Sequence, residues 1–481
     1  MNNFSGITLE LAVAGLAMAI LLVDLWLAPD QKKKLGYLAV TGLALVLAGS
    51  FFMGGPESTY AFGNSYVLDP MALFFKRFFL VAAIIVLLIS IDFADRISVG
   101  IAEFYALLLF ALTGMMFAAS ANDFIMVFVS LELITVTFYI LTSFQRAKLH
   151  SLEAGIKYLI LGALSTAFTV YGIAFIFGAA HTTAFGTIFN GNAEILNSAL
   201  FQFGLLMVIL GLGFKIAAFP FQNWAPDVYQ GSPLPATAFL AVGSKAAGFV
   251  LLLRILFSAV PALALHWPKL FVVIAAVTIL YGNLCAIPQR NLKRLLGYSS
   301  IGNAGYLLLG IAAASASGES AVLYYLSGYL FSVLAAFAVI SIVTRHAEDE
   351  DISSIAGLHQ RSPLLAAGLA LSMISLAGIP PLAGFFGKFL LLKSVVDRGV
   401  MTPMFYTLVG IALFGIVVSF YYYLGVVRAI YWARASDYSK IEVPLGLQVS
   451  LYVCIVGMLY LGIFPNSMTN ITRDAVSALK F

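Results

Sequence analysis

The chain has 481 residues, 62% hydrophobic and only 10% charged, with a mean hydropathy of +1.00. No water-soluble fold of this size can cover its surface with so few charges, so the composition excludes soluble enzymes and leaves an all-α polytopic membrane protein. The net charge of +4 resides mostly in connecting loops, where it reports topology and gives no footprint for nucleic acid.

Apolar runs long enough to span a bilayer, about 20 residues each, cover residues 5–27, 35–54, 69–92, 101–119, 123–143, 152–178 and 199–224, then 234–257, 267–286, 292–315, 320–344, 363–396, 403–427 and 446–465. These predict about fourteen transmembrane helices. The first run lacks the basic start of a secretory signal and reads as a retained helix. Connections leading from an odd to an even run hold fourteen Lys and Arg, against five on the opposite side. The positive-inside bias therefore places those loops in the cytoplasm and both termini on the non-cytoplasmic side. Cys285 and Cys454 are isolated, and His150, His181, His266, His346 and His359 fall in loops or at helix ends. Neither set gives the ligand spacing of an iron–sulfur, zinc or membrane haem site, and no cofactor is expected in this chain.

Ionisable side chains inside the runs are the candidate functional residues, because a charge at mid-bilayer depth costs at least ~3 kcal/mol on insertion scales. Glu10 and Asp24 lie toward the ends of the first run, and the long stems of Lys76, Arg77 and Arg254 suit snorkelling. Glu132, in VFVSLELITV, lies mid-run and needs a cation or water beside it to stay ionised. Glu153 and Lys157, in SLEAGIKYLI, are four apart with the acid first. That suits a helical ion pair, either static or placed at the cytoplasmic mouth of the sixth run to feed protons inward.

The seventh run continues as GLGFKIAAFPFQNWAPDVYQGSPLP. Pro220 cannot donate to the carbonyl of Ile216 and Pro226 repeats the fault downstream, predicting a helix broken beside Lys215. Lys215 is the expected partner of Glu132, so that moving or neutralising the carboxylate alters proton binding by the lysine. Asp227 is expected to order the turn into the eighth run, which carries Lys245 in AVGSKAAGFV. In the tenth run Tyr298, Ser299, Ser300 and Asn303 are candidates to hold water on the way to Lys388, or to serve helix packing.

The twelfth run, MISLAGIPPLAGFFGKFLLL, breaks at Gly378, Pro380 and Pro381, which leaves the carbonyls of Leu376 and Ala377 without donors ahead of Lys388. Interrupted segments five helices apart predict two inverted five-helix repeats, helices 4–8 and 9–13, each with a discontinuous helix, 7 and 12. The expected units are an N-terminal three-helix segment at 1–95, a first repeat at 96–257, a second at 258–430 and a C-terminal helix at 431–481.

Taken as an ordered set, LELITVTFYIL, SLEAGIKY, GLGFKIAAFPFQNWAPDVYQGSPLP, FLAVGSKAAGF, NLKRLLGYSSIGNAGY and SLAGIPPLAGFFGKF resemble the antiporter-like, proton-pumping membrane subunits of respiratory complex I, the bacterial NADH:quinone oxidoreductase. The resemblance covers about residues 100–430. It implies a proton-translocating subunit of the bacterial plasma (inner) membrane, packed against other membrane-arm subunits, including neighbouring antiporter-like ones. Proton pumping would be coupled to electron transfer from NADH or a related donor to quinone, handled elsewhere in the assembly. Flavin and iron–sulfur clusters are expected in partner subunits. The resemblance also implies roles: Glu132 and Lys215 as the charged pair of the input half-channel, Lys245 as the connecting lysine and Lys388 as the terminal proton-binding group. A lysine rather than an acid at 388 sets the chain apart from the largest member of the family. The alternative reading is a cation/proton antiporter subunit of a non-redox transport complex, and a third is a scaffold whose charges form static ion pairs.

Overall fold

The computed structural model describes residues 3–28, 31–53, 58–190, 193–261, 267–345, 350–400, 402–434, 438–477 and 479; His266 and His346 lie outside them. Helix fills every apolar run. In chain order these are α1 (Thr8–Asp24), α2 (Lys34–Ser50), α3 (Pro70–Phe93), α4 (Ile101–Ala119), α5 (Phe124–Thr142), α6 (Leu149–Ala180), α7 (Ala199–Ile216), α8 (Trp224–Gly231) and α9 (Leu234–Ala259). There follow α10 (Pro268–Ala286), α11 (Leu292–Ala313), α12 (Ala316–Val343), α13 (Pro363–Ala377), α14 (Ala383–Gly399), α15 (Met404–Trp432) and α16 (Leu445–Ile463). Eleven of them are long and apolar enough to cross a membrane, and α2 and α13 are shorter apolar helices. Elements additional to the predicted runs include α8, a hairpin of β1 (Thr59–Ala61) against β2 (Tyr66–Leu68), paired antiparallel with Thr59 opposite Leu68, and a polar helix α17 (Pro465–Val476).

Helix starts follow ordinary capping chemistry. Asp69 accepts from the amide of Ala72 at 2.7 Å with Pro70 opening α3, Asn291 caps α11 through Arg294 N–H at 3.0 Å, and Ser315 caps α12 through Gly318 N–H at 3.2 Å. Burial grades across the bundle. The most apolar stretch of α9 is entirely buried and those of α11 and α12 are 94% buried, whereas α6 and α15 bury only 22% and 28% of theirs. The interior is thus built from α9, α11 and α12, with α6 and α15 turned outward.

Both breaks close in the same way. At the end of α7 the amide of Ala217 donates to Phe214 O at 3.0 Å and that of Ala218 to Gly213 O at 2.9 Å, with Ala217 left-handed at φ 56°. At the end of α13 Gly378 donates to Ser375 O at 2.9 Å and Ile379 to Ile374 O at 3.2 Å, with Gly378 at φ 88°. These are the paired bonds of a Schellman termination. Alanine in that conformation stores roughly 1–2 kcal/mol that glycine avoids. The chain then restarts as α8 and α14, and the start of α14 crowds α13 so closely that a Cβ at Gly384 would strike the carbonyl of Ser375.

Lys215 precedes its break and Lys388 follows its own, the order that the sequence has them in, so the lysines approach the two breaks from opposite ends. Other sequence expectations need correction. Asp227 lies in the first turn of α8, one helix earlier than the turn it was assigned to. Lys76 and Arg254 do not snorkel and Glu10 is not interfacial. Lys76 and Glu10 are both 0% exposed and paired at 2.8 Å, and Arg254 is bidentate to Asp69 at 2.8 and 3.0 Å. The hairpin explains the first pair: Tyr66 of β2 is inserted against α1 and α3, and its hydroxyl meets both Glu10 and Lys76. Its short strands carried no run of apolar residues long enough to register.

Candidate functional site

Glu132 sits midway along α5, half-buried, and Lys215 sits in the last turn of α7, almost fully buried. They do not form the expected ion pair. Thr166 of α6 donates to Glu132 Oε1 at 2.6 Å, and the Lys215 ammonium lies 3.4 Å from the hydroxyl of Tyr158, also on α6, and 5.8 Å from the centre of its ring. Helix α6 packs against both α5 and α7, so its polar side chains take both charges before they reach each other. Glu132, Thr166 and Lys215 nevertheless line one narrow cavity of about 10 Å³, at the lower limit for a single water.

Glu153 and Lys157 do form the predicted pair, at 2.7 Å, half-exposed at the start of α6. Lys157 also reaches Asp227 of α8 at 2.6 Å, and Asp227 accepts from Arg294 of α11 at 2.6 Å. The four charges line an open cavity of about 210 Å³ with His150. Asp227 therefore joins α6, α8 and α11 through charge-assisted bonds.

Lys245 follows a π-helical turn at Leu240–Ser244 in the buried helix α9, a distortion that recurs at functional positions. Gly248, one turn on, packs against the Cβ of Lys215, and the hydroxyl of Ser244 is buried without a hydrogen-bond partner among the described residues. The Lys245 ammonium donates to the carbonyl of Ser300 at 2.6 Å and to its hydroxyl. Ser300 is in turn met by Tyr229 at 3.0 Å and Tyr329 at 3.1 Å.

From there a file of hydroxyls and amides runs on. Tyr329 stacks on Tyr325, whose hydroxyl donates to Asn303 at 2.6 Å. Asn303 contacts Ser299 and Tyr423, each at 3.3 Å, and Tyr423 packs on Tyr422 at 4.4 Å between rings. Tyr422 donates to Asn283 at 2.9 Å, Asn283 donates to Tyr306 at 3.4 Å, and the ring of Tyr306 lies 4.7 Å from the ammonium of Lys388. Lys388 donates to Leu376 O at 2.7 Å and Ala377 O at 3.1 Å, the two carbonyls that the proline arithmetic leaves free.

Of the tenth-run candidates, Ser299, Ser300 and Asn303 join this file, while Tyr298 lies outside it beneath Arg294. The sequence reading missed Tyr229, Asn283, Tyr306, Tyr325, Tyr329, Tyr422 and Tyr423. Tyr229 lies between two runs, and the only advance signal of the others was a tyrosine or asparagine inside an apolar run. Hydroxyls and amides both donate and accept, so each hydrogen-bonded segment can relay a proton without carrying a fixed charge, and the ring contacts that join the segments need a water between neighbouring hydroxyls to complete the relay. Among the described residues no cluster of three His, Cys, Asp or Glu is placed to hold a metal, and the two cysteines are separate free thiols.

The family described as NADH:quinone oxidoreductase/Mrp antiporter, TM, matches residues 121–415. A protein of Moorella thermoacetica named NADH-quinone oxidoreductase subunit N is 41% identical over 479 residues, covering 99% of this chain and 98% of its own. Among solved structures, a chain of respiratory complex I from Thermus thermophilus aligns with a TM-score of 0.81 at 33% identity, covering 96% of this chain and 98% of that one. A chain of the Mrp complex from Dietzia aligns with a TM-score of 0.83 at 18% identity, covering 98% and 97%; that likeness is one of fold.

Proposed function

Since the chain belongs to the subunit N family of NADH:quinone oxidoreductases, we propose that Glu132, Lys215, Lys245 and Lys388 carry protons through it in that order. The chain is a proton-translocating membrane-arm subunit of complex I, assembled with other membrane-arm subunits. Redox chemistry and quinone belong to the assembly, with flavin and iron–sulfur clusters in partner subunits. We place it in the bacterial plasma membrane with both termini outside, on the loop charge bias.

The single observation that carries the route is the file of hydroxyls and amides between Lys245 and Lys388, hydrogen-bonded in segments that meet through ring contacts at Tyr329–Tyr325, Tyr423–Tyr422 and Tyr306–Lys388. Protons enter from the cytoplasm past the Glu153, Lys157, Asp227 and Arg294 cluster. A charge change arriving from a neighbouring subunit acts on Glu132. Glu132 acts on Lys215 through the narrow cavity, and the proton passes to Lys245, along the tyrosines, and to Lys388. The matched terminations at Ala217 and Gly378 support reading 96–257 and 258–430 as inverted repeats between the N-terminal segment 1–95 and the C-terminal stretch 431–481.

Replacing Lys215 by Ala in the assembled complex, in sealed vesicles, tests the route. NADH-driven quinone reduction and proton uptake are expected to fall together, on the order of a hundredfold for loss of a positioned proton carrier. Undiminished pumping per assembled complex overturns it. The alternative, a cation/proton antiporter subunit without a redox partner, rests on fold likeness to the Mrp chain at 18% identity and is less supported than the subunit N reading at 41%.

A further inference from the structure

Glu319 is an acid that the route above does not use. It lies in the first turn of α12 and is 0% exposed, and neither carboxyl oxygen has a hydrogen-bond partner among the described residues. A buried polar group without a partner is rare and costly, and each instance calls for a physical account. Helix α12 begins at the connection from the tenth apolar run to the eleventh, an even-to-odd connection that the loop charges assign to the non-cytoplasmic side.

The packing of α12 on α14 fixes where Glu319 stands relative to Lys388. Gly328 meets Ala383, Tyr325 meets Gly387, and Val322 and Leu391 meet at one spot on Gly310. The helices are thus antiparallel, and each step down one is a step up the other. On that register Tyr325 is level with the turn that carries Lys388, and Glu319 is level with Ser394, which is buried. Six residues of α14 separate the backbone of Lys388 from that of Ser394, a rise of about 9 Å; the Lys388 ammonium reaches the other way, to Leu376 O and Ala377 O, so the proton crosses to Glu319 along a chain of waters longer than that rise. One residue beyond Glu319, the hydroxyl of Ser320 meets Thr472 of α17 at 2.9 Å, and the next residues of α17, Arg473 and Asp474, are exposed.

We propose that Glu319 is the exit-side proton acceptor of this subunit, receiving the proton that leaves Lys388 and releasing it to the non-cytoplasmic side beside α17. The proposal rests on the reading that Lys388 ends the buried row. In the step the Lys388 ammonium gives up one proton and becomes a neutral amine. The Glu319 carboxylate takes the proton and becomes a carboxylic acid, and then returns to carboxylate by releasing it to outside water. No electrons move. The neutral Lys388 keeps its bonds to Leu376 O and Ala377 O and is recharged from the tyrosine file. Burial without a partner opposes charge on Glu319; the positive end of the α12 dipole offsets part of that cost, and water reaching the carboxyl during turnover supplies the rest.

The test uses the whole complex in sealed vesicles, with Glu319→Gln, Glu319→Asp and Lys388→Ala measured per flavin. Glu319→Gln is expected to lower NADH-driven proton translocation roughly a hundredfold, and Glu319→Asp to restore most of it. Parent-like pumping by Glu319→Gln, with Lys388→Ala inactive, overturns the role of Glu319 and leaves the row standing. Parent-like pumping by Lys388→Ala overturns the row itself. Equal loss in the Gln and Asp variants, or failure of both to assemble, assigns Glu319 to packing and overturns the proposal as well.

Discussion

Two regions of the molecule bury cations, and they do it differently. Around the hairpin, Lys76 and Arg254 each face a carboxylate, Glu10 at 2.8 Å and Asp69 through two bonds. Along the interior helices, Lys215, Lys245 and Lys388 form no ion pair among the described residues. They rest on a tyrosine hydroxyl, a serine and backbone carbonyls. A carboxylate pins its cation, because losing the proton from the lysine leaves an uncompensated buried anion. A carbonyl or hydroxyl accepts from an ammonium and, more weakly, from a neutral amine, so no buried charge is orphaned when the proton leaves. Burial alone therefore does not mark a proton carrier; the partner does.

The sharpest way to break that contrast is at the paired end, where the largest effect on stability is expected. Lys76→Met leaves Glu10 buried without its cation, and should cost ~3–5 kcal/mol, read as lost assembly or a lowered unfolding midpoint. Adding Glu10→Gln should recover most of that loss, since removing both charges of a buried pair is often close to neutral. A double variant as unstable as the single one would mean that the pair is worth more than its charges.

Lys388→Met should invert the pattern. It removes two donated bonds to carbonyls, a loss of about 1–3 kcal/mol, while eliminating a charge that has no carboxylate to orphan. Assembly is expected to survive and proton translocation to collapse. Assembly failing as severely as in Lys76→Met would make Lys388 a structural cap of α13. Next in size, Tyr325→Phe withdraws one donor from Asn303. That should cost ~1 kcal/mol and slow pumping with the redox subunits intact; unchanged pumping would divert the route away from Tyr325.

Much of this was legible from the amino acids because the physics is local. Apolar runs set the helices, and Pro380 and Pro381 identified the very carbonyls that Lys388 occupies. The pairing of Glu132 with Lys215 was not legible, because it depends on Thr166 and Tyr158 of a third helix intervening between them. The tyrosine file assembles from α8, α11, α12 and α15, and no single run hints that its tyrosines converge. Glu10 and Lys76 misled for a related reason: depth judged from the ends of an apolar run ignores a hairpin folding back over those ends. Glu319 fell just outside a run drawn from residue 320, although the helix begins at Ala316.

The smallest effect separates Glu153 from Lys157, two residues that sequence spacing treats as one unit. Their pair is half-exposed, and exposed ion pairs contribute about 0–1 kcal/mol. Lys157 keeps Asp227 at 2.6 Å when Glu153 is removed, so Glu153→Gln should leave stability within ~0.5 kcal/mol and pumping unchanged. Asp227→Asn should do more than Glu153→Gln, because it takes the shared anion from both Lys157 and Arg294 and loosens the junction of α6, α8 and α11. The order of these two variants, in unfolding midpoint and in proton uptake, decides which acid anchors the cytoplasmic mouth. Equal effects would restore the helical pair as the functional unit and reduce Asp227 to a bystander.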